Sequence, residues 1–70
     1  MVDRVVYDNN LYRIMADKGI SLKQLGDMSG VSWRTIQNYY QGRRLLSQAH
    51  ASLVIALADA LGVHPRELID

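Results

Sequence analysis

Cysteine is absent from the 70-residue chain, so neither a disulfide nor a thiolate metal site can brace it. Phenylalanine is absent as well, and there is a single proline. Apolar runs are only a few residues long (Leu53 to Leu57 is one), far short of the roughly 20 needed to cross a bilayer. The start, Met1-Val2-Asp3-Arg4, has no basic segment leading into an apolar stretch. No secretory signal is therefore expected, and a cytoplasmic setting is. His50 and His64 stand without a cysteine or acidic partner pattern, so no metal or cofactor is expected. The scattered serines and histidines form no nucleophile–base constellation, which argues against an enzyme.

What is present is helical material. Hydrophobic residues make up 49% of the chain, enough for a core, and alanine, leucine, isoleucine and methionine carry most of them. These are helix formers, and 70 residues suit one small domain, so a single all-α domain over 1–70 is expected. Without covalent staples it must rest on helix packing, helped by a partner chain if one binds. The 70 residues show no separate sensing region, so they are read either as a whole small protein or as a piece of a longer one.

Charge is unevenly placed. The net charge is only +1. From Lys18 to Arg44, however, five basic residues (Lys18, Lys23, Arg34, Arg43, Arg44) face Asp27 alone, a net of +4. The remainder holds Arg4, Arg13 and Arg66 against Asp3, Asp8, Asp17, Asp59, Glu67 and Asp70, a net of −3. No acid occurs from Met28 to Ala58. A basic middle between acidic ends suits a polyanion bound on one face; a chance split of fifteen charges is the plainer alternative.

Periodicity and capping residues predict five short helices. Leu11, Ile14 and Met15 mark one stripe on a helix from about Tyr7 to Lys18, with Asp8, Asn9 and Asn10 as capping candidates and Gly19 as the stop. Ser21 caps a second helix, Leu22 to Met28, whose apolar face is Leu22, Leu25 and Met28; Met15 and Met28 read as core filler. Ser32 caps a third, running to about Gln41, with Gly42 ending it. Ile36 and Tyr39 or Tyr40 point inward. The opposite face carries Trp33, Arg34, Gln37, Asn38 and Gln41: a planar cation, three amides, an indole and no acid. A merely solvated helix usually shows Glu and Lys there. Ser47 is expected to cap a fourth helix to Leu61, with Leu53, Leu57, Ala60 and Leu61 at helical spacing. Pro65 opens a last short helix, His64 before it and Leu68 facing in. Leu45 and Leu46 between helices three and four serve either as a core lid or as a dimer contact.

The second and third helices are joined by so short a turn that they must cross steeply. Gly26 supplies the small residue at the crossing, and Gly30 the left-handed backbone of the turn. Leu25, Val31, Ile36 and Tyr39 plug the angle. That spacing matches a helix-turn-helix, whose protruding second helix can enter a major groove about 12 Å wide with its first turn.

Gly19-Ile20-Ser21, Leu25-Gly26, Gly30-Val31-Ser32, Ile36, Gly42-Arg43 and Ala58-Asp59-Ala60-Leu61-Gly62-Val63, in that order, resemble the phage-repressor-like Cro/C1-type (XRE) helix-turn-helix family. The resemblance spans roughly Asn10 to Leu68. It implies a five-helix lambda-repressor-like domain with the helix-turn-helix at helices two and three. It implies binding of a double-stranded DNA operator, palindromic and read by a homodimer, in a bacterial or phage repressor-type regulator. By position, Ser32, Trp33, Arg34, Gln37 and Asn38 correspond to the base-reading set. Trp33 would meet a thymine methyl or a sugar, or else pack on Lys23 at the rim. Lys23, Gln41, Arg43 and Arg44 correspond to phosphate contacts, against plain solvation for Gln41 and the two arginines. Three features depart from the family: Leu22 where a glutamine is usual, Gly26 where alanine is commoner, and a longer loop after Gly42 without the usual proline. Some family members are antitoxins, so an interaction module with a toxin or other protein partner is the competing expectation.

Overall fold

The computed structural model describes residues 9–69. The expected helix start at Tyr7 and the Asp8 cap lie outside them.

Five α-helices follow one another: α1 Asn10–Lys18, α2 Leu22–Ser29, α3 Trp33–Tyr40, α4 Ala51–Leu61 and α5 Pro65–Ile69, with one 3-10 turn at Leu46–Gln48. Among the described residues there is no strand, and no helix is long and apolar enough to cross a membrane. The local chemistry accounts for most ends. Asn9 caps α1, its side chain accepting from the Tyr12 N–H at 2.8 Å. Ser21 and Gln24 form a reciprocal capping box on α2: the Ser21 hydroxyl accepts from Gln24 N–H, and Ser21 N–H donates to the Gln24 side chain. At α5 the Glu67 carboxylate accepts from His64 N–H at 3.0 Å.

Each element gives the core at least one side chain: Leu11 and Met15 from α1, Leu25 from α2, Ile36 from α3, Leu46 from the 3-10 turn, Val54, Leu57, Ala58 and Leu61 from α4, Leu68 from α5. No polar or charged residue among those described is buried. Burying each of the large side chains stabilises by about 1.5–3 kcal/mol, so the core carries the fold. α2 packs on both α3 and α4, α5 on α4, α1 and the 3-10 turn, and α1 also touches α3.

Three expectations need correction. Met28 is 52% exposed and fills no core. Each step of three residues turns about 300° around the helix, so Met28 has drifted about 120° from Leu22 and off the buried face. Ser47 does not cap α4. It lies in the 3-10 turn, and the helix begins at Ala51 after His50, whose side chain makes no cap bond. Ser32 precedes α3, but its side chain makes no cap bond either. Leu46 proves to be the core lid, at 7% exposure, whereas its neighbour Leu45 stands 57% exposed.

Candidate nucleic-acid interface

The pair α2 and α3 builds a wedge. α2 ends at Ser29 and α3 begins at Trp33, leaving a three-residue turn. Gly30 sits there at φ 76°, a left-handed conformation that a side chain would strain, and its N–H bonds Gly26 carbonyl at 2.9 Å. The Ser29 hydroxyl accepts from Val31 N–H at 3.2 Å and tightens the corner. Gly26 lies at the crossing. A Cβ there would stand 3.1 Å from the Val31 carbonyl oxygen and 3.2 Å from Trp33 Cβ. The absent side chain is what lets the start of α3 lie against α2. Leu25 and Ile36 are fully buried behind this contact, and Val31 and Tyr39 pack half-buried around them.

With its inner face held by Ile36, α3 turns its first residues outward. Ser32, Trp33 and Arg34 are exposed; Gln37, Asn38 and Gln41, further along, are half-buried. Thr35 is exposed too. Its position between the stripe residues gave no sequence signal, because an i, i+3, i+4 count steps over it. The Arg34 guanidinium carbon lies 5.5 Å from the centroid of the Trp33 ring. Lys23, exposed on α2, shares a shallow hollow with Gly26, Asp27, Ser32 and Trp33.

The loop after α3 is tied back to it. Backbone N–H groups of Arg43 and Arg44 both donate to the Asn38 carbonyl, at 2.9 and 3.2 Å. Two exposed guanidinium-bearing side chains are thereby anchored at the far end of the helix that presents Arg34. The Asn9 side-chain amide donates to the Tyr40 carbonyl at 3.0 Å, and the Tyr12 and Tyr40 rings pack 5.2 Å apart, which fastens the C-terminal end of α3 to α1. The result is a helix held by contacts at both ends, with cations at its start, beside it on α2, and beyond its end.

Residues 10–70 match the Cro/C1-type HTH DNA-binding domain family. The chain belongs to this family. Its partner is therefore DNA, and α2–turn–α3 is its helix-turn-helix. A similar solved structure is the restriction-modification controller protein C.AhdI from Aeromonas hydrophila, 28% identical, with 86% of each chain covered and a TM-score of 0.75. A search of curated proteins finds no match. The chain is a sequence-specific DNA-binding transcription regulator.

Proposed function

We propose that this family member, a single domain over 1–70 acting in the cytoplasm, reads a palindromic operator as a homodimer, one α3 per half-site. The observation that carries the reading is the exposed start of α3: Arg34 open to solvent on a helix whose inner face is locked by Ile36. In a major groove the Arg34 guanidinium would bridge guanine O6 and N7, and the Gln37 or Asn38 amide would pair with adenine. Ser32 completes the base-facing set, and Trp33 stands beside Arg34 at the start of the helix. Lys23, Gln41, Arg43 and Arg44 would take phosphates and set register without reading sequence.

One copy offers few cations, so affinity calls for two half-sites about 34 Å apart. An apolar groove supports self-association: Leu46, Ala49, Val54, Pro65 and the exposed Ile55 and Ile69 line it, and it shares no residue with α2 or α3. The similarity to a restriction-modification controller favours such a regulator over an antitoxin. A toxin docking on the Leu45-Leu46 loop would have only Leu45 to grip, since Leu46 is buried.

Selection of bound duplexes from a random library, followed by titration at several salt concentrations, tests the reading. If each protomer neutralises three or four phosphates, log K against log salt should fall with a slope of about −5 to −7 for the dimer, on a duplex carrying an inverted repeat. A slope near zero, or no enriched repeat, overturns it.

A further inference from the structure

Arginine has a long side chain with many rotamers, and a guanidinium reads a guanine only when its fork is aimed. A group on the protein that limits where Arg34 points lowers the cost of ordering that side chain on binding. α3 carries no carboxylate (its sequence is Trp-Arg-Thr-Ile-Gln-Asn-Tyr-Tyr), and a carboxylate would in any case compete with the base for the same donors. The group that meets the guanidinium is the indole of Trp33, 5.5 Å from ring centroid to guanidinium carbon. That ring is well suited to the task. Its Cβ is held at the α2–α3 crossing by the space Gly26 leaves, while the residue remains 37% exposed. It is rooted at the base, and the Arg34 guanidinium lies over its ring.

We propose that Trp33 is a positioning residue for base recognition: its indole face is a platform that pre-orients the Arg34 guanidinium, leaving all five N–H donors free for a guanine. The stacking is a cation–π contact, which orders the side chain without neutralising it. This rests on the reading that Arg34 contacts a base. It differs from a Trp33 that touches DNA itself or merely packs on Lys23.

The test is a double-mutant cycle on the full chain. The probes are the duplex that the wild-type chain selects from a random library and a scrambled duplex of equal length; the readout is the ratio of the two affinities. Trp33→Ala keeps the Cβ that fills the crossing, so the fold survives, and a thermal melt checks this. Trp33→Ala is expected to lower the ratio about two- to fivefold. Trp33→Phe, which restores an aromatic face, is expected to recover most of it, and Trp33→Leu, apolar without such a face, is not. In an Arg34→Ala background, Trp33→Ala should change nothing further. An equal loss in that background overturns the proposal and makes Trp33 an independent DNA contact. Full retention of the ratio by Trp33→Leu overturns it in favour of simple packing. A ratio unmoved by Arg34→Ala alone strikes the underlying assignment of Arg34 instead, so the two failures are told apart.

Discussion

α3 and α4 show two ways for a helix to belong to one small fold. α4 has 11 residues, of which Val54, Leu57, Ala58 and Leu61 are buried. α3 has eight and buries Ile36 alone. α4 is held by side chains, α3 by what surrounds it: a glycine at one end of its contact, carbonyl bonds to the following loop, and the Asn9 and Tyr12 contacts to Tyr40. Tyr39 and Tyr40 pack half-buried beside Ile36, which leaves Trp33, Arg34 and Thr35 open and Gln37 and Asn38 half-open. In α3 the open surface carries groups that can hydrogen-bond a base, whereas the exposed residues of α4 are Ala51, Ser52, Ile55 and Asp59, with no cation among them. The division of labour between scaffold and reader thus lies in which side chains are fully buried and in the chemistry of those left outside.

The sharpest way to break this contrast is to truncate each helix at its most telling residue. Leu57→Ala, fully buried on α4, should cost about 2–5 kcal/mol. Against a total stability of about 5–15 kcal/mol, or less for so short a chain, that approaches unfolding and abolishes DNA binding indirectly. Arg34→Ala, exposed on α3, should move stability by no more than about 0.5 kcal/mol while removing sequence discrimination. Urea titration of both variants beside duplex binding checks the pair. A substantial loss of stability in Arg34→Ala would show that α3 is held by its outer face after all.

A second break addresses the crossing that joins the two regions. At Gly26 a Cβ would lie 3.1 Å from a backbone oxygen, tight but within what small shifts absorb. Gly26→Ala sets that crowding against a gain in helix propensity of up to about 1 kcal/mol, so its net effect should stay within about 1 kcal/mol of zero. Gly26→Val adds two methyls at the contact and should destabilise by about 1–3 kcal/mol through overpacking. Thermal melts of the two variants decide it: equal tolerance of alanine and valine would mean that the crossing is looser than the geometry says.

The parts legible in the sequence share a physical property. The wedge could be read because each of its residues answers to a local rule: Leu25 and Ile36 to helical period, Gly30 to a left-handed backbone, Gly26 to close approach. The exposed Arg34 followed from the same period. The capping rule misplaces the start of α4 at Ser47 because it is local, and here a non-local gain outweighs it: a 3-10 turn at Leu46–Gln48 tucks Leu46 into the core and delays α4 to Ala51. A three-residue spacing does not place Met28 in the core, because the helical period is 3.6 and two such steps from Leu22 carry the side chain into solvent. The Trp33–Arg34 stacking had no sequence signal, since adjacent residues on a helix point about 100° apart and only their rotamers bring them together. The tie from the Arg43-Arg44 loop to the Asn38 carbonyl is a backbone contact, which side-chain patterns do not encode.

The smallest expected effect concerns that loop, where the comparison between reader and scaffold is least decided. Arg43 and Arg44 are exposed, and their backbones are fixed to α3 while their side chains extend from it. If they meet phosphates, each Arg→Ala change should weaken binding alike on the selected and the scrambled duplex and reduce the magnitude of the salt slope by about one. Their fold contribution should be unaffected, because the bonds to Asn38 come from backbone N–H groups that alanine retains. A solvated loop would leave the slope where it was. A change confined to the selected duplex would instead move these arginines into the base-reading set, and the reading surface would then extend past the end of α3 into the segment that a backbone hydrogen bond holds against it.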